Sequence, residues 1–243
     1  MDRLIYTAAS GARALMQRQD GLAHNLANAS TPGFRADLVA FRAVPVRGEG
    51  ASTRVDALEA SAGFDPKSGP LQTTGRSLDV ALPGRGWFVL QAADGSEGLT
   101  RHGGFEVSPE GTLVGPGGLP VLGEGGPISI PPQARVQFAA DGSVSAQVGE
   151  AAPQSVGRLK LVDPPAAQLR KGEDGLVRMA SGEPAEADPA LRVAPGAIEG
   201  SNVSVVEAMV SMIAAARQFE TQMKLLQQAE QNDQRATQVI AAH

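Results

Sequence analysis

His24, His102 and His243 are the three histidines in a chain of 243 residues. His24 falls in a helical segment, and no H-x-x-x-H or H-x-E pair sets two ligands one helical turn apart. A helix-borne zinc site therefore has no ligand set. The chain has no cysteine, which removes disulfides, thiolate metal sites and thiol nucleophiles together. Asp94, Asp141 and Asp174 could contribute to a carboxylate calcium site, but each is followed by Gly, and Asp-Gly pairs suit tight turns first. A serine nucleophile needs a shaped turn of the G-x-S-x-G kind, which is absent. The runs "GPGG" (115–118) and "GEGGP" (123–127) are glycine-rich. Neither opens a helix or is followed by Lys-Ser/Thr, as a phosphate loop requires. Gly84 and Gly86 precede a strand. The expectation is a protein that is not an enzyme and carries no cofactor and no metal.

Composition narrows the partners. Aromatic residues make up 4% of the chain, with one Trp and one Tyr, too few for an aromatic-lined pocket. The formal charge is −5 and no basic block occurs, so neither nucleic acid nor an anionic membrane surface fits. No apolar run approaches the roughly 18 residues of a membrane span. The opening "MDRLIYTAASGARALM" is interrupted by Gly11 and Arg13, with Gln17 and Arg18 following, so a cleaved secretory signal is not expected.

Glycine and proline separate the elements that must position everything else. Of 29 glycines, Gly11, Gly21 and Gly33 alone lie in residues 1–40, and neither glycine nor any of the 17 prolines lies in 201–243. Both ends read as helices and the middle as strands and turns. At the C-terminal end Val206, Met209, Ile213, Ala216, Phe219, Met223 and Leu226 alternate steps of three and four, a spacing that falls on one helix face. Val205 and Met212 widen it. Ser204 and Glu207 fit a capping box. A helix from about 202 to 240 would be roughly 60 Å long. At the N-terminal end Leu4, Ala8, Leu15, Leu22 and Leu26 share the periodicity, with the small residues Gly11 and Ala12 between them. Asn28 to Gly33 end that helix: Thr31 precedes Pro32, which disfavours the α region, and Gly33 accepts positive φ.

The expected fold is α+β, mainly β with helical termini. Residues 1–35 form an N-terminal helix, 36–76 a connector with short strands, 77–195 a central antiparallel β domain and 196–243 a C-terminal helix. "DG" at 94–95, 141–142 and 174–175 and "EG" at 110–111 mark hairpin turns. The helices either pack on the β domain or pair with each other and with neighbouring copies. Length favours the second, since burying seven such side chains contributes on the order of 10–20 kcal/mol gross, whereas ordering costs roughly 1–2 kcal/mol per residue. Assembly could supply the missing burial. On this reading Leu4, Leu15, Leu22 and Leu26 share an interface with Val206, Met209, Ile213, Phe219, Met223 and Leu226.

The segment "NLANASTPGFR" (25–35) resembles the N-terminal signature of bacterial flagellar rod and hook proteins, and "IEGSNVSVVEAMVSMI" (198–213) resembles the segment before their last helix, with Ile198 at the usual Leu position. "LDVALPGRGWFVL", "LTRHGGFEVSPEGTLV" and "GLPVLGEGGPISIP" look like successive parts of the family's central domain, with Leu99 where Tyr is common. The motif and turn residues carried over are Asn25, Asn28, Thr31, Pro32, Gly33, Phe34, Ser201, Asn202, Ser204 and Glu207. The opening is more similar to proximal-rod members than to distal-rod or hook members. The resemblance implies a structural subunit, exported by the flagellar type III apparatus without a cleaved signal. It implies polymerisation into the hollow rod that crosses the periplasm and transmits torque to the hook. The terminal helices would pair as a coiled-coil-like inner layer and the β domain would lie outside. Partners would be copies of itself, more proximal rod proteins inward and the distal-rod protein outward. A distal-rod or hook-type protein, or a secreted β-rich envelope protein, is the alternative.

Overall fold

Alternating apolar spacing without a helix breaker yields two helices, α1 (Asp2–Ala27) and α2 (Val205–Ala241). The computed structural model describes residues 2–45 and 55–241, and the side-chain surroundings of 9–38, 40 and 63–232. Leu4 therefore lies on α1 with its surroundings outside the described residues, and His243 lies outside them altogether. The chain forms two compact units: residues 1–28, 37–64 and 203–243 in one, 29–36 and 65–202 in the other.

In the first unit α1 and α2 pack together, and a hairpin of β1 (Asp37–Pro45) and β2 (Val55–Phe64) packs on α1. The strands are antiparallel, with Asp37 opposite Phe64 and Pro45 opposite Val55, and a register shift between Leu38 and Ala40. This corrects the expected connector of short strands: the two strands run nine and ten residues. Their sequences, "DLVAFRAVP" and "VDALEASAGF", lack strict apolar–polar alternation: Leu38 and Val39 are adjacent, and β2 carries Ala57, Ala60 and Ala62. Cross-strand pairing stabilises what the pattern only weakly encodes.

The second unit is built from short antiparallel strands. β3 (Leu71–Thr73) pairs with Ala197–Glu199, and β4 (Val80–Ala81) with Ala194–Pro195. Segments on either side of 77–195 thus belong to the β unit. β5 (Trp87–Gln91) and β6 (Glu97–Thr100) are central in a five-stranded sheet with Leu161–Val162, Val177–Met179 and Leu169–Lys171. A three-stranded meander runs through Ala134–Phe138, Ser143–Val148 and Gln154–Arg158. Val80, Leu82, Phe88, Leu90, Phe105, Leu113 and Val144 are fully buried in one core. Phe88 and Phe105 meet edge to face at 5.2 Å, a favourable ring geometry. Leu99 is buried opposite Val89 and Val177.

The Asp-Gly and Glu-Gly pairs sit at hairpin turns. Gly95, Gly111, Gly142 and Gly175 all have positive φ. The Asp94 carboxylate accepts from the Ser96 N–H and hydroxyl, and Asp141 does the same with Ser143. Asp174 accepts from the Leu176 N–H and from Arg178. These carboxylates are engaged in their own turns, and among the described residues no cluster of three or more His, Asp or Glu could hold a metal ion.

Candidate assembly site

The end of α1 shows why the N-terminal motif needs asparagine. Asn25 is buried, and its side-chain amide pairs both ways with one backbone residue: Nδ2 donates to the Asp37 carbonyl at 2.9 Å and Oδ1 accepts from the Asp37 N–H at 2.7 Å. A carboxylate lacks the donor and an aliphatic chain lacks both groups. The amide fixes the place where β1 begins against the last turn of α1. Asn28 Nδ2 donates back to the His24 carbonyl at 3.0 Å, beside the bond that carbonyl accepts from the Asn28 N–H. His24 Nδ1 lies 2.6 Å from Asp37 Oδ2. At the start of α2, the Ser204 hydroxyl accepts from the Glu207 N–H at 3.4 Å, the first half of a capping box.

The faces of α2 differ from the expected single stripe. Its inward positions are Ala208 and Ala215, buried, then Met212, Phe219, Gln222, Leu226 and Ala229, half-buried. Gly11 of α1 lies in ordinary contact with Gln222, a Cβ there standing 3.7 Å from its side chain. On α1, Ala12 and Ala14 are buried while Leu15, Leu22 and Leu26 are half-buried. Val206, Met209, Ile213 and Met223, expected against the N-terminal leucines, are exposed at 71, 49, 57 and 38%. The helices approach through small residues, so the large ones are left outside the pair. Val205 and Val210 are also exposed. The outer face is therefore apolar over 205–213, and then carries Arg217, Glu220, Lys224, Gln227 and Gln228.

In the β unit, the two segments that join it to the helices meet around a buried carboxylate. Glu199 is fully buried, Arg101 is 2% exposed and Arg35 4%. Arg35 Nη1 donates to Glu199 Oε1 at 2.6 Å and Arg101 Nε donates to Oε2 at 2.6 Å, while Arg101 Nη2 also pairs with Oε2. The Gly69 N–H adds a bond to Oε1 at 2.8 Å. Arg101 further donates to the carbonyls of Gly86, Leu82 and Gly84. Burial pushes the Arg101 guanidinium below its usual value, with Glu199 opposing and Arg35 reinforcing the shift.

The carried-over turn residues belong to the same place. The Gly33 N–H donates to the Glu199 carbonyl at 2.7 Å, and the Asn202 N–H donates to the Phe34 carbonyl at 3.2 Å. Asn202 Oδ1 accepts from Ala36 N–H at 2.7 Å, and its Nδ2 donates to the Asp65 and Lys67 carbonyls. Gly33 has φ of +69°, and a Cβ there would lie 2.3 Å from the His102 nitrogen. Lys171 Nζ sits 4.0 Å from the Phe34 ring centroid. Thr31 and Pro32 are half-buried and Ser201 is buried. Sequence reading missed Arg35, Arg101 and Glu199, although each stands inside a motif quoted for other reasons. Their signal was a charge set among glycines and apolar residues.

Three family models match in chain order: "Flagella basal body rod protein" over 5–35, "Flagellar hook protein FlgE/F/G D1 domain" over 81–146, and "Flagellar basal body rod FlgEFG protein C-terminal" over 194–239. The first and last cover the motif-bearing ends just described. The chain belongs to the flagellar basal-body rod protein family. Flagellar basal-body rod protein FlgF of Salmonella typhimurium is 47% identical over 250 residues, covering 99% of both chains. FlgF of Escherichia coli is 46% identical over 252 residues with the same coverage. A FlgG rod protein of Buchnera aphidicola is 30% identical over 259 residues, covering 97% of this chain and 98% of its own. Within the family this is a FlgF-like structural rod protein, not an enzyme.

Proposed function

We propose that the chain polymerises as a subunit of the proximal flagellar rod, and that the outer apolar face of α2 seats against helices of neighbouring subunits. The observation that carries this reading is the exposure of Val206, Met209, Val210 and Ile213 along one side of a helix in a rod-family protein. Contiguous apolar surface of this kind marks an interaction site. Covering what these four side chains leave exposed contributes about 4–7 kcal/mol before ordering costs.

Leu4, Leu15, Leu22 and Leu26 of α1, with Phe219, Met223 and Leu226 of α2, complete the interface in this account, the helices pairing in coiled-coil fashion in the rod's inner layer. The alternating spacing of 208, 212, 215, 219, 222, 226 and 229 supports that pairing. The polar outer face from Arg217 onward suits a wet surface or channel lining. Other rod proteins flank the subunit on both sides, the distal-rod protein outward. The chain reaches the periplasmic rod through the flagellar type III apparatus, and no described helix is long and apolar enough to cross a membrane.

Complementation tests the reading. Ile213→Asp, expressed in a strain lacking its own copy of this rod protein, leaves the β unit folded by circular dichroism yet gives no motile flagella. A variant that restores swimming as wild type does removes this face from the assembly.

A further inference from the structure

We infer that residues 29–36 cannot dock on the β unit until Glu199 is in place, because Arg35 and Arg101 would otherwise share a buried site with no counter-charge. The dependence runs from late in the chain to early: Glu199 follows Arg35 by 164 residues and Arg101 by 98.

The two arginines are held unequally. Arg101 donates to three backbone carbonyls, of Gly86, Leu82 and Gly84, so its guanidinium is fixed by its own neighbourhood whether or not Glu199 is present. Arg35 has no such set. Its Nη1 goes to Glu199, its buried Nε has no hydrogen-bond partner among the described residues, and its guanidinium carbon otherwise faces the Trp87 ring at 5.9 Å. Without the carboxylate, Arg35 would enter a dry site already occupied by a like charge. A buried cation that loses its partner is strongly disfavoured, by more than the pair itself contributes.

The backbone repeats the dependence. Gly33 N–H donates to Glu199, the Phe34 carbonyl accepts from Asn202, and the Ala36 N–H donates to the Asn202 side chain. Three of four consecutive residues, 33 to 36, thus bond through their own main chain to Glu199 or Asn202. The first segment therefore stays undocked until the last part of the β unit is in place. The β unit then closes once, on a chain complete through residue 202.

The test uses the full-length chain and two readouts, chymotryptic cleavage after Phe34 and emission of Trp87, the sole tryptophan. Glu199→Gln keeps the shape and removes the charge. Cleavage after Phe34 rises on the order of 100-fold, and Trp87 emission shifts to the red. Wild-type protection in this variant overturns the inference. The double variant Arg35→Met with Glu199→Gln removes the cation that enters with residues 29–36 and leaves Arg101 held by its three backbone carbonyls. Protection and emission return toward wild type, even where the single variant unfolds the whole unit. A double variant as open as the single one overturns the charge argument.

Discussion

Gly33→Ala separates backbone conformation from close approach. Its φ is +69°, a region that costs an L-residue about 1–2 kcal/mol. The new methyl would also lie 2.3 Å from the His102 nitrogen, 2.4 Å from the Arg101 carbonyl carbon and 2.8 Å from its oxygen. These are main-chain atoms of the segment that follows β6, so relief requires a backbone shift of about 1 Å rather than a rotamer change. Gly75 supplies the control: φ is +73° and a Cβ there meets nothing within 4 Å. Alanine at Gly75 should cost about 1 kcal/mol, partly offset by the stiffer unfolded chain. Alanine at Gly33 should cost at least ~3 kcal/mol, a large value with a named steric cause. Urea unfolding followed by Trp87 fluorescence, with the slope held common, measures both. Equal losses in the two variants would refute the close approach of residue 33 to the Arg101–His102 backbone.

Asn25→Ala removes the two bonds that its amide makes to the Asp37 N–H and carbonyl. It should destabilise the helix-and-hairpin unit by about 1–3 kcal/mol, read as faster hydrogen exchange at the Asp37 amide; unchanged exchange contradicts the pairing. Burial pushes the His102 imidazole below its ordinary value, more than nearby Asp79 raises it. A lowered folded value means that stability is full above the unfolded value near 6.5 and falls as pH drops through it. The melting temperature should decline from about pH 7 to 5, and His102→Gln should flatten that decline. Burial raises the Asp79 carboxyl, but bonds from Arg76 and Thr74 outweigh it and hold the group below the usual carboxylate value. That stability is present above about pH 4 and is lost on further acidification, so Asp79→Asn should flatten the acid limb of a pH–stability curve.

The legible parts of the sequence were those whose physics is local. Both helices follow from unbroken periodicity, the hairpin turns from Asp-Gly and Glu-Gly, and the break after Ala27 from Asn28, Pro32 and Gly33. The hairpin of β1 and β2 was obscured because strands without strict alternation acquire their preference from the partner strand. Which residues of α2 meet α1 was not legible from apolar spacing alone, because size does not decide burial between closely approaching helices. Ala208 and Ala215 go inward since small residues let the helices approach, while Val206, Met209 and Ile213 remain outside. The Glu199 cluster was invisible for another reason. Its members are separated by 164 and 98 residues, and each single charge looks like any surface residue until the strands bring them together.

The absence of cysteine from the chain makes the central claim directly measurable. Ile213→Cys places one thiol on the outer face of α2, at a position 57% exposed in the single chain. Maleimide labelling of the purified, unassembled protein should be fast. The same thiol in isolated basal bodies should be protected, because a neighbouring subunit covers it. Equal labelling in the two states would contradict assembly through this face.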